Sequence, residues 1–229
     1  MINEVYNVDC MEFMKDKPDK YFELAIVDPP YGIGDWTQKT ENKEKKITKS
    51  RFEVKWNDKI PEKKYFDEVL RVSKNQIIWG ANYFNCFDKK GGAIVWFKNV
   101  KHPNYSKCEI ASHSFGVQVN YIDIEWYSLN RSEATIHPCQ KPVALYKWLL
   151  QNYAKPGDKI VDTHVGSGSH RIASYELGFD FEGTEIDYEI WQAQEDRFKV
   201  EKARIDGKFY LPESDLFGDY GETNGKNNT

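Results

Sequence analysis

The chain has 229 residues, 40% hydrophobic and 15% aromatic, enough for one globular domain with a real core. Its formal net charge of −4 argues against a protein that coats polyanions in bulk, but leaves room for a local basic groove. No apolar run approaches the ~20 residues of a membrane span, and the N-terminus lacks a secretory pattern. The four cysteines (Cys10, Cys86, Cys108, Cys139) are scattered without metal-ligand spacing, so a cytoplasmic chain with free thiols and no metal is expected.

Ile2 to Asn7 reads as a strand and Met11 to Lys15 as a short helix. Phe22 to Val27 reads as a second strand. Its Leu24-Ala25-Ile26-Val27 run is apolar throughout, as a parallel strand buried on both faces is. It leads into Asp28-Pro29-Pro30-Tyr31. A rigid turn at the carboxyl end of a strand sits where open α/β sheets bind ligands. This one offers a carboxylate, carbonyls with no competing proline N–H, and a flat aromatic face. Such a set suits a planar amine held while it attacks an electrophile. Taken alone, the same residues would also serve as a proline-stiffened turn with a surface Asp.

Gly32 to Lys59 is polar, rich in lysine and without clean periodicity. It exceeds the ~12–15 residues usual for a structureless connection, so a functional loop or lid is expected. Pro61 to Val72 reads as a helix with Phe66, Val69 and Leu70 on one face. Strands follow at 76–79 and 93–97. Lys98 to Ser112 is loop-like, with basic and aromatic residues interleaved, and 114–119 with 122–127 is expected to form an antiparallel pair. Pro142 opens a helix over 143–153. A strand at 159–162, a helix at 171–177, a strand at 179–185 and a long amphipathic helix at 188–203 complete the pattern. Beyond Gly207 the chain thins into a polar tail expected to be disordered. Strands alternating with helices imply a mostly parallel sheet covered on both faces.

A second constellation follows the strand at 159–162. Asp162-Thr163-His164-Val165-Gly166-Ser167-Gly168-Ser169 is a glycine-rich turn between strand and helix, which lets backbone approach a ligand closely. About twenty residues on, the next strand ends at Glu185, placed to accept hydrogen bonds from the hydroxyls of a ribose. GxGxxG is absent, so a cofactor without a pyrophosphate is favoured over a dinucleotide.

These blocks together resemble the amino-type, S-adenosylmethionine-dependent DNA methyltransferases that modify adenine N6, in the small phage or orphan-like form. Asn7-Val8-Asp9-Cys10 is similar to the family's Gly-Asp-Cys block, and Asp28-Pro29-Pro30-Tyr31-Gly32 matches its catalytic motif. His137-Pro138-Cys139-Gln140-Lys141-Pro142 resembles His-Pro-Thr-Gln-Lys-Pro, and Asp162 to Ser169 resembles Asp-Pro-Phe-x-Gly-Ser-Gly-Thr. The catalytic block precedes the cofactor block, the order of the β group. Trp79-Gly80-Ala81-Asn82 also resembles a segment of small phage-type members. The resemblance spans roughly residues 4 to 205. Thr163 and His164 depart from the usual Pro and Phe, Cys139 from Thr, and no large target-recognition segment separates the two halves.

The resemblance implies a Rossmann-like methyltransferase fold of the α/β class: a mostly parallel sheet, helices on both faces and an antiparallel hairpin. It makes residues 1–206 a single catalytic domain with loop insertions at about 32–60 and 98–135, and 207–229 a tail. Asp28 and the Pro29 carbonyl would accept the two amine N–H groups, Pro30 would stiffen the turn, and Tyr31 would stack on the base. Asp162, Thr163, Gly166, Ser167 and Gly168 would lie under the cofactor, Glu185 on its ribose, Ile186 beside its adenine, and Asp9 and Cys10 near that adenine's amine. His137, Gln140 and Lys141 would approach the methionine end, with Lys141 on the carboxylate.

DNA, duplex by preference, is the implied partner. Lys39, Lys49, Arg51, Lys98, Lys101 and Lys107 are candidate phosphate contacts. Trp36, Trp56 and Tyr105 could stack, though each reads singly as ordinary packing. A homodimer would compensate for the short recognition region, and Asp215-Leu216-Phe217 faintly resembles a sliding-clamp peptide. Three alternatives within the superfamily stay open: cytosine N4, usually marked by Ser in place of Asp28; RNA adenine, usually by Trp in place of Tyr31; and protein glutamine, usually by Asn in place of Asp28. A non-catalytic nucleic-acid-binding subunit that retains the fold is the alternative of another class.

Overall fold

Two apolar sets alternate along the strand Phe22–Val27, and each faces its own layer of helices. The computed structural model describes residues 1–33, 59–87, 89–100, 105–126, 135–137 and 139–207. In chain order its elements are β1 (Asn3–Tyr6), α1 (Cys10–Lys15), β2 (Phe22–Val27), α2 (Lys63–Val72), β3 (Ser73–Trp79), α3 (Ala81–Phe84), β4 (Ala93–Phe97), β5 (Cys108–His113) and β6 (Val119–Asp123). Then come α4 (Val143–Tyr153), β7 (Lys159–Asp162), α5 (Ser169–Leu177), β8 (Asp180–Thr184) and α6 (Tyr188–Ile205).

Among the described residues, the strands form one sheet in the order β1-β8-β7-β2-β3-β5-β4-β6. Every pairing is parallel except those of β5, which is antiparallel to both β3 and β4. Leu24 and Ile26 of β2 join Ile77, Ile160 and Phe181 in a core with Leu145 and Leu149 of α4, Ile172 of α5 and Phe198 of α6. Ala25 and Val27, one residue out of phase, join Ile78 and Val161 in a second core with Met14 of α1 and Val69 of α2. The period-two geometry of strands makes one continuous apolar run serve both faces. No helix among the described residues is long and apolar enough to cross a membrane.

The mostly parallel, doubly covered sheet agrees with the sequence. The antiparallel element does not arise where it is predicted. Among the described residues, 114–119 and 122–126 do not pair with each other; β5 forms inside the stretch read as loop and pairs with β4, while β6 runs parallel to β4. The cause is side-chain pattern: β5 is exposed or half-buried over its first residues and buried over its last, so it lacks a clean period of two. Lys39, Lys49, Arg51, Lys101, Trp36, Trp56 and the tail with Asp215-Leu216-Phe217 lie outside the described residues.

Arg171 of α5 ties one end of the sheet together. It donates to the Asn3 backbone and side-chain oxygens and to Glu195, and its guanidinium lies 3.9 Å from the centre of the Phe198 ring. Phe181 of β8 is fully buried and sets its ring edge-on to His170 at 4.9 Å. Phe181→Ala is expected to lower stability by about 3–5 kcal/mol; urea unfolding should show a lower midpoint with an unchanged slope.

Candidate functional site

The strand order reverses between β2 and β7. In open α/β sheets this is where a crevice opens at the carboxyl ends of the strands. Asp28 follows β2, the glycine turn follows β7, Glu185 follows β8, Gly80 follows β3 and Lys98 follows β4. Because β5 is antiparallel, its first residues, Cys108 and Glu109, reach the same edge. These residues, with Pro29, Pro30, Tyr31, His137, Gln140, Lys141, Gly166, Ser167 and Ile186, wall one cleft of about 590 Å³.

At one end of the cleft Asp28 is held by two donors. Tyr31 donates its hydroxyl to Oδ1 at 2.6 Å, and Lys141 donates its ammonium to Oδ2. Lys141 also lies 3.1 Å from Glu109 Oε2 and donates to the Tyr31 hydroxyl at 3.4 Å. Lys98 donates to Glu109 Oε1 at 2.8 Å. Both lysines are nearly buried, at 5% and 8% exposure. Burial pushes the Asp28 carboxyl above the usual range while Lys141 pulls it back. Burial also works against the charge of Glu109, but Lys141 and Lys98 outweigh it and hold that carboxyl below its ordinary value. Lys141 is itself held charged against burial by Asp28 and Glu109.

Tyr31 stacks on Tyr83 with ring centres 4.9 Å apart and 18° between planes. Gly80 makes that placement feasible. Its φ is +76°, and a Cβ there would lie 2.4 Å from the Tyr31 ring.

At the other end, the turn after β7 is braced from behind. Asp162, 1% exposed, accepts from the His164 N–H and from His170 Nδ1, both at 3.0 Å. His170 is stacked on Tyr146. Gly166 and Gly168 adopt φ of +53° and +78°. A Cβ on Gly183 beneath them would meet Val165 at 2.4 Å. Glu185 accepts from the Gly166 and Asp187 N–H groups at 3.0 and 2.9 Å, and burial raises its carboxyl. Each oxygen keeps a second lone pair for a ligand hydroxyl. Burial and the nearby Lys141 hold the His137 imidazole down at about 4, so it is neutral at physiological pH. Gln140 accepts from the Ile136 N–H at 3.1 Å, which closes the loop ahead of Lys141.

Several predicted site residues stand elsewhere. Asp9 caps α1, its Oδ1 accepting from the Met11 and Glu12 N–H groups. Cys10, its thiol pushed up to about 12 by burial, lines a shallow depression that adjoins the cleft at Pro30 and His164. Asp162, Thr163 and Gly168 support the turn without lining the cleft. The Thr163 hydroxyl bonds Tyr65 at 2.6 Å, and Gly168 packs on Gln194 of α6. Lys98 is not placed for a phosphate contact, because it is buried and paired with Glu109. Lys141 is engaged by Asp28 and Glu109 rather than standing clear for a cofactor carboxylate. Lys107 is exposed and donates to the Val100 carbonyl. Tyr105 lines the cleft against Trp126.

Glu109 and Tyr83 join the cleft without a clear mark in the sequence. Glu109 stands in a segment read as loop, and only the β4–β5 register brings it beside Lys98. Tyr83 directly follows Trp79-Gly80-Ala81-Asn82, and the resemblance carried by that segment is the signal for it.

Comparison with known proteins shows the family and the fold. The N6/N4 family model described as DNA methylase matches residues 46–196. The chain belongs to this family. Type II methyltransferase M.BglII of Bacillus subtilis is 22% identical over 82% of the chain, which spans 66% of that relative. The M1.HpyAVI-SAM complex aligns with a TM-score of 0.55 at 19% identity over 86% of this chain and 100% of that one. PvuII DNA methyltransferase, which is cytosine-N4-specific, aligns at 0.59 and 14% identity over 90% of this chain and 94% of that one. These structures share the Rossmann-like methyltransferase fold with the chain.

S-adenosylmethionine is the cofactor of the family, as the sequence predicts. The positive-φ glycines and the Glu185 carboxylate fit a nucleoside with a compact, pyrophosphate-free tail.

Two outcomes test the geometry. Lys141→Met removes the charge that lowers the Asp28 pKa, so that pKa rises further. The carboxylate is then lost at a higher pH, and the acid limb of the rate–pH profile should move upward. Gly80→Ala should displace Tyr31 and lower the methylation rate on the order of 100-fold, measured at saturating cofactor, with the fold retained by circular dichroism.

Proposed function

We propose that this protein transfers a methyl group from S-adenosylmethionine to the exocyclic N6 of adenine in double-stranded DNA, with residues 1–206 as one cytoplasmic catalytic domain. The observation that carries this reading is the half-buried Asp28 carboxylate, fixed by Tyr31 and Lys141 in the same cleft as Gly166, Ser167 and Glu185. The family's amino-methylating chemistry requires such an acceptor beside a cofactor pocket.

When bound, S-adenosylmethionine supplies an electrophilic methyl on a sulfonium. The protein must orient a weak nucleophile, because the amine lone pair of adenine is delocalised into the ring. Asp28 accepts one amine N–H and the Pro29 carbonyl the other, which favours a tetrahedral nitrogen facing the donor. A carboxylate near pKa 3.9 does not remove an amine proton outright. Burial raises Asp28 and equips it to take the proton as, or after, the new bond forms. The stacked pair Tyr31 and Tyr83 presents an aromatic wall of the kind on which an extruded base gains about 1–3 kcal/mol. Extrusion from a duplex costs a few kcal/mol, which phosphate contacts from Lys39, Lys49, Arg51, Lys101 and Lys107 would offset. The cofactor is assigned to Gly166, Ser167, Glu185 and Ile186, with His137 and Gln140 at the methionine end.

The fold similarity to PvuII methyltransferase supports cytosine N4 as the second reading. The sequence favours adenine, since Asp rather than Ser stands at position 28. Incubation with labelled cofactor and unmethylated DNA, followed by nucleoside analysis, separates the two: N6-methyladenine is expected, and N4-methylcytosine would replace the assignment. Asp28→Ala should abolish transfer while calorimetric cofactor affinity stays unchanged. Joint loss of both would place Asp28 in the cofactor site instead.

A further inference from the structure

Four charged side chains line up at the catalytic end of the cleft in alternating sign: Lys98, Glu109, Lys141 and Asp28. The proposed reaction gives roles to Asp28 and to Lys141, which fixes it, but none to Lys98 or Glu109. Taking charge out of water is costly, and apolar residues of similar size would generally fill such a space at no loss of stability. A row of this kind is therefore better explained by what it positions than by what it stabilises.

The two ends of the row are built differently. Lys98 and Glu109 stand on the β4–β5 ladder, where Trp96 faces Glu109, Phe97 faces Cys108, and the Lys98 N–H bonds the Lys107 carbonyl at 2.9 Å. Their separation is thus set by strand register. Lys141 stands on the irregular run before α4, on a four-carbon stem that carries much rotamer freedom. Glu109 gives that stem a fixed anchor at 3.1 Å, and Lys98 holds the anchor from its other side at 2.8 Å. With Lys141 held, the Asp28 carboxylate has a donor on each oxygen, Tyr31 on Oδ1 and Lys141 on Oδ2, and its plane can no longer rotate freely.

We propose that Glu109 and Lys98 are positioning residues for methyl transfer: they clamp Lys141 against Asp28 and so fix the orientation in which Asp28 meets the target amine. This rests on the function proposed above and extends its machinery to a strand on which the sequence reading placed no catalytic group.

The test uses the full chain with labelled S-adenosylmethionine and an unmethylated duplex, measuring kcat, KM for DNA, calorimetric cofactor affinity and the thermal midpoint. Glu109→Gln should lower kcat on the order of 10–100-fold, leaving cofactor affinity and KM for DNA near the wild-type values. Lys98→Met should show a smaller loss of the same kind, restored by Lys98→Arg. The double variant Lys98→Met/Glu109→Gln removes one charge of each sign. It should stay as slow as Glu109→Gln, because Lys141 still lacks its anchor.

Recovery in the double variant would show that the row only balances charge, and would overturn the proposal. So would a Glu109→Gln enzyme with unchanged kcat, or one whose kcat falls only in step with cofactor affinity and folded fraction. If Glu109→Gln does not fold, the Lys98→Met and Lys98→Arg pair decides by the same criterion. Wild-type enzyme that methylates no base overturns the proposed function and this inference together. Active wild type with an unaffected variant overturns this inference alone.

Discussion

The ion pair between Asp28 and Lys141 organises the end of the cleft where methyl transfer is proposed. A carboxylate proposed to hold an amine gains from being shielded from water, yet shielding disfavours its charge. Lys141 resolves that conflict by pairing with it, and Tyr31 adds a second donor. Everything nearby follows from keeping this arrangement in place. Gly80 must lack a side chain so that Tyr31 can sit where it does. Gln140 closes the loop that delivers Lys141, and His137 stays neutral beside the ammonium. Glu109 satisfies the remaining demand of a buried lysine for a second anion.

Sheet topology brings this pair to the cofactor turn. Adjacent parallel strands β2 and β7 end at one edge, and the chain leaves them in opposite directions, so a crevice opens between Asp28 and Gly166. The turn is built from behind by Asp162 and His170, whose contacts leave its backbone facing the cleft. The antiparallel strand β5 enters at the same edge from the opposite direction and delivers Glu109. A strand in the parallel sense would have presented its last residues there instead.

The parts of this architecture written in local pattern were legible in the sequence. The unbroken apolar run Leu24 to Val27 announced a doubly covered parallel strand, and glycine, proline and carboxylate marked the turns after β2 and β7 as walls of a cleft. Asp9 and Asp162 were legible as special but not in what they do. A helix cap and a buried brace show the same short acidic side chain as a ligand contact, and only the three-dimensional surroundings distinguish them. Lys98 and Lys141 were misread for a related reason. Lysine is expected in water or on phosphate, and pairing with Glu109 or Asp28 depends on strand register and loop path, which are long-range properties. β5 was missed because its half-exposed beginning breaks the alternation that marks a strand.

The central claim is that Asp28, oriented by Lys141, takes hold of the base amine beside the cofactor. A crystal structure with a non-reactive cofactor analogue and an adenine-containing duplex tests it most directly. The expected result is an extruded adenine whose exocyclic nitrogen lies about 3 Å from an Asp28 carboxylate oxygen, with Lys141 still bridging Asp28 and Glu109 and the analogue against Gly166 and Glu185. An amine held by other groups, with Asp28 and Lys141 remote from the base, would contradict it.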